Sequence, residues 1–173
     1  MILAFVVAFV VTAILFKRQQ ITTQDQHQTN KMLSPMKGIV KNITEISDPT
    51  FAGKMMGDGI MILPEEGTIY APFDGEVMMV FPTKHALGLK SKDGVEILIH
   101  CGLDTVSLQG KPFELYVQQG QHIKAGEKLL KADLNQIKES GCSIETAVVI
   151  TNGKEFNLIH DGKTSNGNMY YRK

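Results

Sequence analysis

His85 and His100 lie in the run Phe81-Pro82-Thr83-Lys84-His85-Ala86-Leu87-Gly88-Leu89, then Lys90-Ser91-Lys92-Asp93-Gly94, then Val95-Glu96-Ile97-Leu98-Ile99-His100-Cys101-Gly102. Asp93-Gly94 between two apolar runs is a strong hairpin signal. A loop spanning Ser91 to Gly94 pairs Lys90 with Val95 and sets His85 directly opposite His100. A loop of Asp93-Gly94 alone sets His100 against Leu87 and makes His85 a diagonal neighbour. In both registers the side-chain period of two keeps the two imidazoles on one face. Direct cross-strand neighbours have Cβ atoms about 5 Å apart and diagonal ones about 7 Å, so both rings can reach one small group. Neutral imidazole, with an ordinary pKa of about 6.5, is nucleophilic near neutral pH. One ring can then attack phosphorus while the other donates a hydrogen bond to a phosphoryl oxygen. Thr83, two residues before His85, shares its face and offers a hydroxyl to orient a ring or an oxyanion. The plainer alternative is a pair of structural histidines, stacked on each other or bonded to backbone.

The elements that must hold this pair are strands. From Gly38 to Gly126, glycines punctuate the chain at short intervals. Between them lie strand-length runs rich in β-branched and apolar residues, such as Gly75 to Phe81, Val95 to Cys101 and Thr146 to Thr151. This pattern implies an all-β fold, a sandwich or barrel of short antiparallel strands. One short helix is expected over Asp133 to Ser140, with Asp133 as N-cap and Gly141 past its end. The phrase Ser34-Pro35-Met36-Lys37-Gly38-Ile39-Val40 repeats as Ala71-Pro72-Phe73-Asp74-Gly75-Glu76-Val77, with proline at a strand entry and glycine at a tight turn. Biotinyl and lipoyl carrier domains open in a similar way. Their attachment lysine, usually within Met-Lys-Met, has no counterpart here.

The totals narrow the function. The 173 residues suit one domain with a proper core. Lys plus Arg and Asp plus Glu are both 18, so no basic excess marks a nucleic-acid surface. Cys101 and Cys142 are too few for a disulfide scaffold and read as reduced thiols. Residues 1–18 form an apolar segment closed by Lys17-Arg18, shorter than the roughly 20 residues a spanning helix wants. Three readings compete for it: a membrane anchor, a weakly attached helix, or an upstream stretch wrongly included in the gene. If inserted, the positive flank leaves the rest of the chain in the cytoplasm. Residues 19–31 read as a polar linker, and residues 32–173 as the folded domain.

Three segments carry a resemblance. They are Asp48-Pro49-Thr50-Phe51-Ala52-Gly53-Lys54-Met55-Met56-Gly57-Asp58-Gly59, Thr83-Lys84-His85-Ala86, and Gly94-Val95-Glu96-Ile97-Leu98-Ile99-His100-Cys101-Gly102-Leu103-Asp104-Thr105-Val106. Their order and gaps resemble the glucose-type IIA component of the bacterial phosphoenolpyruvate-dependent sugar phosphotransferase system, over about Ser34 to Val149. The resemblance implies a flattened β-sandwich of the duplicated hybrid motif type. It implies phosphate on His100 at Nε2 with His85 as assisting ring, and no cofactor beyond the phosphohistidine. It implies histidine phosphocarrier protein as donor and a cysteine-bearing IIB domain of a sugar permease as acceptor. The protein would then be a cytoplasmic relay in sugar uptake, with a regulatory role also open to it. After Asn152 the tail departs from the family's usual ending, and Asp161-Gly162 or Asn166-Gly167 would have to stand in before the last strand.

Further site candidates follow from the same motifs. Asp48 and Asp104 would flank the histidines, repelling a phosphoryl group or pairing with an arginine of the donor. The alternative for each is a turn aspartate bonded to backbone. Phe51, Met55, Met56, Phe81 and Leu98 are candidates for an apolar docking ring, since methionine and exposed phenylalanine suit adaptable contacts. Leu98 shares the face of His100, whereas Ile97, Ile99 and Cys101 point the other way. A zinc hydrolase is the main rival. It needs three protein ligands, and no third has a clear claim beside His85 and His100. A regulator that binds without transferring is the second rival.

Overall fold

The computed structural model describes residues 32–154 and 162–164, within the unit Lys31–Lys173. The apolar segment, the linker and Asn166-Gly167 lie outside the described residues. Glycine-bounded runs become the strands β1 (Gly38–Asn42), β2 (Asp58–Pro64), β3 (Thr68–Tyr70), β4 (Gly75–Val80), β5 (Ala86–Ser91) and β6 (Glu96–His100). They continue as β7 (Phe113–Leu115), β8 (His122–Ile123), β9 (Lys128–Ala132), β10 (Thr146–Ile150) and β11 (Gly162–Thr164). Two antiparallel sheets result, an eight-stranded one in the order β11-β1-β2-β10-β6-β5-β4-β8 and a three-stranded one in the order β3-β9-β7. The all-β expectation holds. Among the described residues the last strand is Gly162–Thr164, which pairs with β1 through Gly38↔Thr164, while Asp161 lies outside them.

The expected short helix is Leu134–Glu139, capped by the Asp133 carboxylate and followed by Gly141 in the left-handed region. It is not alone among the described residues. Pro49–Ala52 forms a further α-helical turn, α1, where the sequence suggested a plain turn. Proline at the first helical position and aspartate just before it are the pair that starts helices, which corrects that reading.

The repeated phrase has a structural meaning. Gly38 and Gly75 each open a strand, and a Cβ at either would collide with a neighbouring carbonyl, of Leu63 and Lys90 respectively. The two copies also bond to each other reciprocally: Tyr70 N–H donates to Pro35 C=O and Leu33 N–H donates to Pro72 C=O, both at 2.8 Å. A sequence offset thus becomes a reciprocal relation between the entries to β1 and β4, two strands of the larger sheet.

Alternation along the central strands divides their side chains between two apolar clusters. Ile60, Ile62, Leu87, Leu89, Ile97, Ile99 and Val148 enter the larger core, which Leu129 and Leu130 of β9 share. Met61, Ala86, Leu98, Ala147 and Val149 face the other side and join Ile43, Ile46, Phe51 and Leu103. Each fully buried aliphatic contributes about 2 kcal/mol relative to exposure. The large sheet is therefore apolar on both faces near its middle, and the smaller cluster is the floor on which the histidines stand.

Neither expected hairpin register is found. Lys90 pairs with Glu96, and Ala86, not His85 or Leu87, lies opposite His100. Ser91 N–H donates to Val95 C=O, and Gly94 adopts φ +78°. The connection is a turn with a left-handed glycine as an inserted residue, which shifts the register by one.

Candidate functional site

His100 ends β6 on the face of the smaller cluster, between Ala86 of β5 and Ala147 of β10. Two alanines as cross-strand neighbours leave room for a ring to stand on the sheet. His85 is the last residue before β5, at the end of the turn through Pro82, Thr83 and Lys84. Strict alternation would send it to the face opposite His100. It precedes the pleat, however, and follows Lys84, whose φ of +55° turns the chain. The two rings meet with centroids 4.8 Å apart at 75°. The shared face is real, but turn geometry produces it, not the register.

Phenylalanines flank the pair. Phe51 lies edge-on to His100 at 5.2 Å, and Phe81 edge-on to His85 at 5.4 Å. Phe51 is carried by α1, whose first turn is fixed by the Asp48 carboxylate accepting from Thr50 N–H at 2.8 Å and Phe51 N–H at 3.1 Å. Asp48 is thus the cap that places Phe51, and its negative charge also favours protonation of His100. Asp104 is exposed, sits in the left-handed region at φ 60°, and makes no capping bond with its side chain. It too acts on His100 through charge.

Hydrogen bonds set the rings' states. His100 Nδ1–H donates to Gly102 C=O at 2.8 Å. A carbonyl can only accept, so in the neutral ring Nδ1 holds the proton and Nε2 carries the lone pair. His85 Nδ1 meets the Thr83 hydroxyl at 2.6 Å. With that hydroxyl donating, His85 Nε2–H is left to donate to a group between the rings. Burial pushes the His85 pKa down to about 4, with the nearby His100 adding to the shift. Burial also lowers His100, opposed by the Gly102 bond and the charges of Asp48 and Asp104. Both shifts favour the neutral ring, the form in which a nucleophilic imidazole presents a lone pair.

The docking ring expected from sequence divides into floor and rim. Phe51 and Leu98 are 7% and 8% exposed and belong to the buried cluster. Little of either side chain is left to meet a partner directly. Phe81 is half-buried, whereas Met55 at 79% and Met56 at 43% are exposed. Sequence reading missed Met79 and Val106. Met79 pairs with Gly88, which pairs with Leu98, so it extends the row on the histidine face and is 49% exposed. The signal was present, since Met79 stands two residues before Phe81. Val106, just beyond Asp104, is also exposed.

Cys101 is buried in the main core with its thiol pushed up to about 12 by burial, as expected for a residue facing away. His122 is exposed; His27 and His160 lie outside the described residues. Among the described residues no three His, Cys, Asp or Glu side chains come together in a way that could hold a metal ion. No helix of the described residues is long and apolar enough to cross a membrane.

Residues 30–156 match the family model described as phosphoenolpyruvate-dependent sugar phosphotransferase system, EIIA 1. The PTS system glucose-specific EIIA component of Bacillus cereus is 53% identical over 121 residues, covering 70% of this chain and 73% of that protein. The glucose-specific EIICBA component of Staphylococcus carnosus is 51% identical over 136 residues, 78% of this chain but 20% of that longer protein. Among solved structures, glucose permease IIA from Mycoplasma capricolum superposes with a TM-score of 0.78 at 38% identity, over 84% of this chain and 96% of that one.

Proposed function

Because the chain belongs to the EIIA 1 family of the phosphoenolpyruvate-dependent sugar phosphotransferase system and is one of its phosphotransferase components, we propose that His100 carries the phosphoryl group on Nε2. The observation that supports this most is the bond from His100 Nδ1–H to Gly102 C=O, which leaves the Nε2 lone pair free to attack. The Nε2 lone pair forms the new N–P bond, and the electron pair of the breaking bond stays on the donor's nitrogen. The phosphorylated ring keeps its Nδ1 proton and gains positive character. Gly102 C=O, Asp48 and Asp104 favour that charge, and the two carboxylates repel the phosphoryl group itself. Such opposed effects keep the bond labile enough to pass on. His85, held by Thr83, donates from Nε2–H to a phosphoryl oxygen as charge shifts between donor and acceptor.

Histidine phosphocarrier protein is the proposed donor. A IIB domain is the proposed acceptor, a reading supported by the fused EIICBA architecture of the Staphylococcus carnosus relative. The exposed methionines and Phe81 supply the docking rim, and glucose is the proposed sugar, after the relatives' names. The carrier is the imidazole alone, with no metal or organic cofactor. The place of work is the cytoplasm, where phosphoenolpyruvate is available, with residues 1–16 as a tether to the inner face of the membrane. The test is incubation with phosphoenolpyruvate and the general phosphotransferase proteins, followed by mapping of acid-labile phosphate. Label is expected on His100 and lost in His100→Ala. Label of wild-type extent in that variant would overturn the assignment.

A further inference from the structure

Gly102 C=O is the acceptor that sets the state of His100, and Gly102 is a residue with no side chain to fix it. Its φ is +75°, a region glycine enters without cost. Both flanking peptides are nonetheless held. On the C-terminal side, Leu103 N–H donates to Ser143 C=O at 2.9 Å, within a bridge between Leu103 and Ser143. On the N-terminal side, the Thr105 hydroxyl donates to Cys101 C=O at 2.8 Å. Cys101 N–H in turn donates to His85 C=O at 2.8 Å, so this link reaches the second histidine as well.

Thr105 does two things at once. Its hydroxyl holds the Cys101 carbonyl, and its methyl packs under Gly102. A Cβ on Gly102 would lie 2.5 Å from Thr105 Cγ2 and 2.8 Å from Ser143 O. Thr105 has no exposed surface, so it touches neither donor nor acceptor protein. It opens the short turn Thr105–Leu108 directly after left-handed Asp104, which brings its side chain back over the residues before it.

We propose that Thr105 is a positioning residue for His100. It fixes the peptides around Gly102, so that the carbonyl stays aimed at Nδ1 and the proton stays off Nε2. The proposal rests on the reading of His100 as carrier. Without the hydroxyl, one of the two anchors about Gly102 is lost: the Cys101–Gly102 peptide can tilt, and the Gly102 carbonyl, now held only through Leu103 N–H to Ser143 C=O, loses its fixed aim at Nδ1. His100 then partitions between its two neutral tautomers, and only one of them presents a lone pair at Nε2. Misplacement of an outer partner of this kind costs on the order of tenfold in rate.

The test uses the full chain with Thr105→Val, which keeps shape and loses the hydroxyl, and Thr105→Ser, which keeps the hydroxyl and loses the methyl. Nitrogen-15 NMR of the unphosphorylated protein reads the His100 tautomer without reference to phosphate. Phosphoryl acceptance from the phosphorylated donor is measured in parallel. Thr105→Val is expected to shift His100 from pure Nδ1–H to a mixture and to slow acceptance by about tenfold. Thr105→Ser is expected to keep the tautomer and accept at about half the wild-type rate or better. An unchanged tautomer in Thr105→Val would overturn the proposal. So would a lost tautomer in Thr105→Ser, a result that stands even if the valine variant does not fold. A shifted tautomer with wild-type acceptance would also overturn the positioning role, while label in His100→Ala separately decides whether His100 is the carrier.

Discussion

His85 predicts a dependence of stability on pH that can be isolated with one substitution. The residue is 7% exposed, and its pKa is lowered from 6.5 to about 4, first by burial and then by His100. A lowered pKa on a basic group means that the fold prefers the neutral ring. Above about pH 6.5 the ring is neutral in both folded and unfolded chains and contributes no slope. Between about pH 6.5 and 4 the unfolded chain takes up a proton that the folded one refuses, so stability falls as pH falls. At 1.36 kcal/mol per unit the full loss is about 3 kcal/mol, of which about 2 kcal/mol is gone by about pH 5. Urea unfolding of wild type and His85→Gln at intervals from pH 7.5 to 4.5 measures this. The two stabilities should converge, or cross, as pH drops, because glutamine has no proton to gain. A residual slope in the variant is expected from His100, whose pKa is lowered too. Parallel curves with a constant offset would refute the reasoning and return His85 to an ordinary histidine.

Three further outcomes are expected. His85→Gln should accept phosphate but pass it on slowly in a single-turnover assay, since an amide replaces the hydrogen bond without the ring's capacity to adjust charge; unchanged onward transfer would make His85 a spectator. Phe51→Asp should lose several kcal/mol in thermal or urea unfolding, because it buries a charge under α1, whereas Met55→Asp should leave stability within about 0.5 kcal/mol and weaken donor binding. Deleting Met1 to Asn30 should leave phosphoryl transfer in solution unchanged and move the protein from the membrane to the soluble fraction; slowed transfer would give these residues a part in the chemistry.

The glycine punctuation and the β-branched runs between glycines told where strands begin and end, because both report local backbone demands. The capped helix after Asp133 was legible for the same reason. Register was not. An inserted left-handed glycine in the Ser91–Val95 connection shifts every pair by one, and Asp-Gly is compatible with several loop lengths. The two imidazoles meet all the same, because a second irregularity, left-handed Lys84 before β5, brings the His85 ring back toward His100. Burial of Phe51 was likewise hidden. Asp48-Pro49 signals a turn and a helix start equally well, and only the helix places phenylalanine under cover.

The double-sided sheet explains why this site can be both firm and open. Most two-layer β domains bury one face of each sheet and wet the other. Here the strands under the histidines are apolar on both faces, so the floor of Leu98, Ala147 and Val149 is as tightly packed as a core. His100 stands on it between alanines with the His85 ring beside it, their orienting bonds supplied from backbone, by Gly102, and from a neighbouring turn, by Thr83. What remains exposed lies around it: Met55 and Met56 after α1, Val106 in the turn after Asp104, and Met79 near the end of β4. On the proposed reading, strands and short turns set the positions of the reacting atoms, while the exposed side chains around them supply the docking contacts. A relay that must fit both a donor and an acceptor gains from that division, because docking contacts can change without moving Nε2 of His100.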